Sequence, residues 1–308
     1  MAFSGKIHKL AAGPRTIHTG FFDCTLPPVL KIESCDTVVL STLTAYEGRL
    51  RKETTMEEWL QLRTGVNKET GPHTLTGPIF IRDAFPGDVL EVRIQKLKTI
   101  GYGVNVHMPE SSLSLQGGIR NFMIDREKGM VLISPGFSLP LRPFLGVMGV
   151  APLPGERRSS RVPDYFGGNL DNKELIAGTT LYLPIIVEGA LFSTGDAHAC
   201  QGDGEVNGTA LETAMEEAVL QFFLRKDLKL KRPLGETPDH WIPMAFHEDI
   251  DRAAEILLMD VIEFLAERKS ITRDEAYGLA SLAVDFRITQ VVNGNKGVHA
   301  MIPKRLFL

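Results

Sequence analysis

Between Ser193 and Glu212 the chain reads Ser-Thr-Gly-Asp-Ala-His-Ala-Cys-Gln-Gly-Asp-Gly-Glu-Val-Asn-Gly-Thr-Ala-Leu-Glu, which sets Asp196, His198, Asp203 and Glu205 within ten residues. The glycines among them let backbone approach a ligand closely. If residues 196–198 are extended, Asp196 and His198 leave the same face, because a strand returns its side chains to one face every second residue. A carboxylate beside an imidazole is half of a divalent-metal site. Asp203-Gly204 has the chemistry of a hairpin turn, which would return Glu205 on the facing strand as a third ligand or a general base. A polar hairpin carrying one hydrogen-bonded histidine is the plainer alternative, and spacing alone leaves both open.

The elements that must position these residues read mostly as strands. In Asp88–Ile94 the apolar Leu90, Val92 and Ile94 alternate with Glu91, Arg93 and Gln95 after the turn Pro86-Gly87-Asp88, the pattern of a half-buried strand. Residues 32–43 repeat the plan around the turn Ser34-Cys35-Asp36, and 180–187 form a third strand whose Pro184 suggests an edge or a bulge. Residues 211–224 are ambiguous between helix and strand. From 100 to 170 glycine and proline recur often enough to predict long loops near Pro135-Gly136 and over 152–158, with 135–165 the expected cover of a substrate pocket. A helix is expected from Asp249 to Arg268, with Ile250, Ala253, Ala254, Leu257, Leu258, Val261, Ile262 and Leu265 on one face. A second begins at Thr272, where Thr-x-x-Glu275 makes a capping box, and runs to about Val284; a strand over 285–290 then ends at the turn Asn293-Gly294-Asn295.

The fold class expected is therefore mainly β, as sandwich- or barrel-like sheets, with a C-terminal α+β portion containing two helices. The 308 residues are read as one catalytic unit with three sub-regions: β-rich 1–100, motif-bearing 101–245 with long loops, and 246–308 with the helix pair and a terminal strand. A hydrophobic fraction of 43% is enough for a core, while a net charge of −4 with scattered cations argues against nucleic acid or anionic membrane as partner. The 3 cysteines, Cys24, Cys35 and Cys200, are far apart, so a reducing compartment is expected over a disulfide framework. No apolar stretch suits a signal peptide or a spanning helix, and a cytoplasmic protein is expected.

The segment Gly195–Glu212 resembles the acetamidase/formamidase family, whose members carry G-D-x-H-x-x-Q-G-D-G-E followed by G-x-A-x-E or a near variant. Further blocks in the same order resemble it too: Phe166-Gly-Gly-Asn169-Leu-Asp171, the glycine-rich Gly146–Pro152, His73 in His-Thr-Leu-Thr-Gly-Pro-Ile, and the turn at 86–88. Cys35, Cys200 and Asn207 stand where relatives vary. The resemblance implies hydrolysis of a short carboxamide to carboxylate and ammonia, a mainly β fold, a homo-oligomer such as a dimer or tetramer, and zinc or sometimes calcium.

On that reading Asp196 and His198 are metal ligands, completed by His73 and Asp171 from elsewhere in the fold. A zinc ion with an open position brings the pKa of its water to about 7. Glu205 is the expected general base, provided that burial raises its pKa. Asp203 is expected to orient His198 or Glu205 from behind, and Asn169 to donate to the amide oxygen. His73 could instead cap a turn, Asp171 could be the N-cap before Lys173-Glu-Leu, and Glu212 is read first as a structural ion pair. Serine acyl chemistry lacks its local markers, for there is no G-x-S-x-G and no Ser-x-x-Lys. The rivals are a Cys200-dependent amidase, a lactam or larger-amide hydrolase on the same site, and a non-catalytic calcium-binding β protein, in which His198 would have little use.

Overall fold

The computed structural model describes residues 5–67, 69–110 and 113–307. Strands dominate it and fall into two large sheets. The nine-stranded sheet runs in the order Ile7–Leu10, Thr37–Leu40, Met215–Arg225, Val89–Thr99, Thr179–Pro184, Leu234–Glu236, His240–His247, Lys296–Pro303, Asp285–Gln290. The second runs Phe137–Pro140, Met130–Ser134, Gly118–Asp125, Tyr102–His107, Glu212–Thr213, Phe192–His198, Phe144–Gly149, Gly167–Asn169; Thr74–Ile81 joins it beside Phe192–His198 and carries Ile17–Thr19 and Leu30–Ile32.

The two sheets bury their apolar faces on one another. Val38, Leu90, Val92, Leu181 and Phe222 of the first share one core with Leu75, Ile79, Val147, Met148 and Phe192 of the second. Across that interface Phe192 and Phe222 meet edge to face, ring centroids 5.2 Å apart. A second core forms where the Ile250–Lys269 helix lays Ala253, Leu257, Val261 and Leu265 on Ala245, Val298 and Ala300 of the first sheet. Asp249 caps this helix by accepting from the Asp251 and Arg252 amides, and Thr272 with Glu275 forms the capping box of the Arg273–Ala283 helix. Both helices thus start where their capping residues predict. Among the described residues no helix is long and apolar enough to cross a membrane.

One reading left open is settled and three expectations need correction. Residues 212–213 and 215–225 are strands, because Leu220 and Phe222 are buried between sheets with ladders on both sides, which overrides local helix propensity. The stretch from 100 to 170 holds seven strands: Pro135-Gly136 is a tight hairpin turn and not a long loop, the glycine-rich block begins inside the Phe144–Gly149 strand, and the loop expected over 152–158 is present as 150–156, ending in the short Arg157–Ser159 strand. Pro184 does not mark an edge; its strand lies between Val89–Thr99 and Leu234–Glu236, and the proline is its last residue, past the ladder with Leu234–Glu236. Glu91 is not on an open face. It is only 2% exposed, its carboxylate held by Arg93 Nε at 2.6 Å and Arg225 Nη1 at 2.7 Å.

Candidate active site

The Phe192–His198 strand crosses the middle of the second sheet. Phe144–Gly149 flanks it on one side; on the other, Thr74–Ile81 pairs with its first half and Glu212–Thr213 with its last two residues. That register puts Glu212 directly opposite His198. The strand is not regular at the site: Asp196 has φ +53, a left-handed conformation that bends it out of the two-residue alternation assumed from sequence. Asp196 Oδ2 nonetheless lies 3.4 Å from His198 Nε2, and Glu212 Oε2 lies 3.4 Å from the same nitrogen. His73, just before the Thr74–Ile81 strand, brings its Nε2 to 3.6 Å from Asp196 Oδ2. Asp171 approaches from the other edge of the ring, with Oδ1 3.8 Å from His198 Nδ1.

A supporting layer holds these groups. Gln201 donates from Nε2 to the Asp171 carbonyl at 2.8 Å, so its Oε1 faces His198 Nδ1 at 3.1 Å. The carbonyl thereby fixes the amide, the amide makes Nδ1 the N–H donor, and Nε2 is left to face Asp196 and Glu212. Ser160 meets His73 Nδ1 through its hydroxyl at 2.9 Å and its carbonyl at 3.1 Å, leaving Nε2 toward Asp196. Asn293 donates to Asp171 Oδ2, while Asp171 Oδ1 is buried without a hydrogen-bond partner. Gly146 is the open space behind them: a Cβ there would stand 2.6 Å from Asp171 Oδ1 and 2.8 Å from His198 Cε1.

Four acids and an imidazole so enclosed perturb one another. Burial pushes Asp171 up to about 7, with Asp196 and Glu212 adding to the rise against the pull of His198. Asp196 goes the other way, since burial alone would raise it but His73 and His198 together hold it below the usual carboxylate range. Glu205 and Glu212 are both raised, chiefly by burial. Burial disfavours the His198 imidazolium, yet Glu212 and Asp196 outweigh this and raise it well above its ordinary value.

A cavity of about 450 Å³ opens onto this cluster, walled by His73, Asn169, Asp196, Glu205 and Glu212 and by the apolar faces of Tyr46 and Trp59. Ligand atoms of Asp171, Asp196 and His198 lie within 4.8 Å of one another, and so do those of His198, Glu205 and Glu212, which makes the floor a candidate cation site.

Known proteins share this scaffold. The acetamidase of Bacillus halodurans is 31% identical and superposes with a TM-score of 0.87 over 97% of this chain and 98% of its own. That of Yersinia enterocolitica is 28% identical, with a TM-score of 0.90 over 100% and 94%. A gamma lactamase from Delftia acidovorans, 20% identical, shares the fold with a TM-score of 0.65 over 97% and 93%. The sequence profile of the acetamidase/formamidase family matches residues 8–161 and 155–308. The chain belongs to the acetamidase/formamidase family. Membership places it among amide-hydrolysing proteins.

Some residues stand elsewhere than the sequence suggested. No hairpin returns Glu205. The chain from 199 to 211 is a loop tied to the Asp285–Gln290 strand through Gly204 N to Thr289 O at 3.0 Å, and Glu205 reaches the cavity from it at φ +45. Asp203 is engaged by Lys173 Nζ at 2.9 Å, and Gln201 occupies the place expected of it behind His198. Asp171 is no N-cap; it sits at φ +46 with its carboxylate on the site. Asn169 lines the cavity with a buried Oδ1 that has no partner, an atom that accepts hydrogen bonds. Cys200 lines an adjoining cavity of about 530 Å³ that shares Glu205, Asn207 and Thr209 with the first, and burial raises its thiol. Glu212, Gln201, Ser160 and Asn293 are the site residues that sequence reasoning undervalued or missed. Glu212 and Gln201 had a signal, the G-x-A-x-E tail and the Gln of the G-D-x-H-x-x-Q-G-D-G-E motif.

Proposed function

We propose that the chain hydrolyses a small carboxamide to its carboxylate and ammonia with the help of a divalent cation, zinc, held at the acid–imidazole cluster. The observation that carries this is the spacing of the donors. Ligands at about 2.1 Å around a tetrahedral ion stand about 3.4 Å apart, and the pairs Asp196–His198, His198–Glu212 and His73–Asp196 stand 3.4, 3.4 and 3.6 Å apart. The unpartnered Asp171 Oδ1 supports the same reading, because a buried carboxylate oxygen without a hydrogen bond calls for a positive partner. Two imidazoles suit zinc better than calcium, which prefers six to eight oxygens. Asp171, Asp196 and His198 would hold the ion, with His73 and Glu212 beside them as further donors.

A cation bound there supplies Lewis-acid polarisation of the amide carbonyl and acidifies water near neutral pH. The rest falls to the chain. Glu205, whose carboxyl burial raises above the ordinary carboxylate range, takes the proton of the attacking water on its carboxylate and returns it to the departing nitrogen. Asn169 Oδ1 accepts from the substrate N–H and turns the carbonyl toward the floor. Tyr46 and Trp59 exclude water from the other side. The same site would open a lactam ring, a reading favoured by a cavity of about 450 Å³ and by the shared fold of the Delftia gamma lactamase.

The test is elemental analysis of purified protein together with ammonia release from a series of short amides. Near one equivalent of zinc, and activity lost on chelation and restored by zinc, is expected. Full activity in thoroughly metal-stripped protein would end the proposal.

A further inference from the structure

The cavity that holds the acidic floor also has a cationic stretch of wall. Arg161, half-buried, lines the cavity, and Arg63 stands at its rim in the last turn of the Met56–Thr64 helix. Neither guanidinium has a carboxylate partner among the described residues. Elsewhere in the chain Arg158, Arg225, Arg232, Arg252 and Arg287 pair with acids. Arg63 rests near the face of Trp59, 5.3 Å from the ring centre. Burial lowers the pKa of Arg161, and among its charged neighbours Arg63 lowers it further while the Tyr46 phenol opposes. Two cations are thus held near one another without an anion between them.

Arg161 is also held in place. Its stem packs over Gly71, where a Cβ would come 3.1 Å from Arg161 Cγ, and it follows Ser160, whose hydroxyl holds His73. One short turn therefore positions both a floor residue and the cationic wall. The space between them is far larger than acetamide, whose methyl, carbonyl and amino groups would leave most of about 450 Å³ empty.

We infer that Arg161, with Arg63 at the rim, forms a carboxylate subsite, and that the substrate is a carboxamide bearing a carboxylate at its far end. This rests on the amide-hydrolase reading of the same cavity. The guanidinium fork matches a carboxylate in two parallel hydrogen bonds, and a substrate anion relieves the repulsion between the two arginines. The reaction balances without a further reagent: water oxygen bonds to the carbonyl carbon, the C–N bond breaks, and the monoamide of a dicarboxylic acid yields the dicarboxylate and ammonia.

The experiment compares kcat/KM for malonamate, succinamate and glutaramate with that for neutral amides of matched length, in the wild-type protein and in Arg161→Gln and Arg63→Gln. At least one acid amide should exceed its neutral counterpart about tenfold or more, and R161Q should collapse that ratio by a similar factor, mainly through KM. Calorimetric binding of succinate and glutarate to wild type and R161Q is the parallel measurement. If no amide is turned over but a dicarboxylate binds in an Arg161-dependent way, the subsite stands and the amidase reading falls. Equal kcat/KM for acid and neutral amides in the wild type, or dicarboxylate binding indifferent to Arg161, overturns the subsite.

Discussion

Alanine at position 146 would put one methyl carbon where three site atoms already stand, 2.6 Å from Asp171 Oδ1, 2.8 Å from His198 Cε1 and 3.0 Å from the Asp196 carbonyl oxygen. Ordinary contact begins near about 3.4 Å, so Asp171 must retreat by roughly 0.8 Å and the imidazole by roughly 0.6 Å. Neither group has slack. Gln201 ties the His198 ring to the Asp171 backbone, and Phe144 packs edge-on against the imidazole at 5.0 Å between centroids. Overpacking a rigid interior costs about 1–3 kcal/mol, which lowers Tm by several degrees. The larger effect is on chemistry, since displacing reacting groups by about 1 Å costs on the order of a hundredfold in rate. Gly146→Ala should therefore lower kcat/KM for ammonia release about a hundredfold and weaken zinc retention against a competing chelator, while the protein still unfolds cooperatively. A variant with wild-type kcat/KM and zinc affinity would refute the reasoning, because it would mean that Asp171 and His198 are not crowded against this strand.

Stability of the metal-free protein should fall as pH rises from about 4 to about 7. Asp171 is raised from 3.8 to about 7 on folding, so the folded state binds more protons in that window, and the stability this confers at low pH is lost as pH climbs through the folded value. The shift is worth on the order of 4 kcal/mol; thermal melts at pH 5 and pH 8 with chelator, then with zinc, check it, and a higher Tm at pH 8 without metal would contradict it. Glu205→Gln removes the proton carrier while keeping its shape, so kcat should drop about 10²- to 10³-fold with little change in bound zinc; a kcat within threefold of wild type would remove Glu205 from the mechanism. Cys200→Ser should keep ammonia release within about twofold, because this half-buried thiol lines the neighbouring cavity and not the one that holds the acid–imidazole cluster. Abolished activity in C200S, with the fold intact by circular dichroism, would favour cysteine chemistry instead.

The readable parts of the fold were those with strong local signals. The Ile250–Lys269 helix has an unbroken apolar stripe and an Asp249 cap, and Thr272 with Glu275 announces the next helix four residues before its first buried alanine. Alternation located the Val89–Thr99 strand but placed Glu91 outside, because the two arginines that neutralise it come from position 93 and from a strand more than a hundred residues away. Between 100 and 170 the glycines that looked like loop signals serve close approaches inside strands, as at Gly146 and Gly149. Residues 212–225 have helix-forming composition and became strands because pairing partners on both sides were available only in the assembled sheet.

At the site, sequence alone determined the chemistry in hand: a carboxylate and an imidazole two positions apart, acids soon after, glycines to admit a ligand, and the motif that marks the family. Tertiary structure decided how those groups meet. Asp196 points at His198 through a left-handed backbone turn rather than through strand alternation, and Glu212 joins them because strand register sets it opposite His198. His73, Asp171, Ser160 and Asn293 arrive from four distant segments. The reason is physical: side-chain type is local, whereas ligand spacing, burial and the charges a group faces are sums over segments that only the packed sheets bring within a few ångströms.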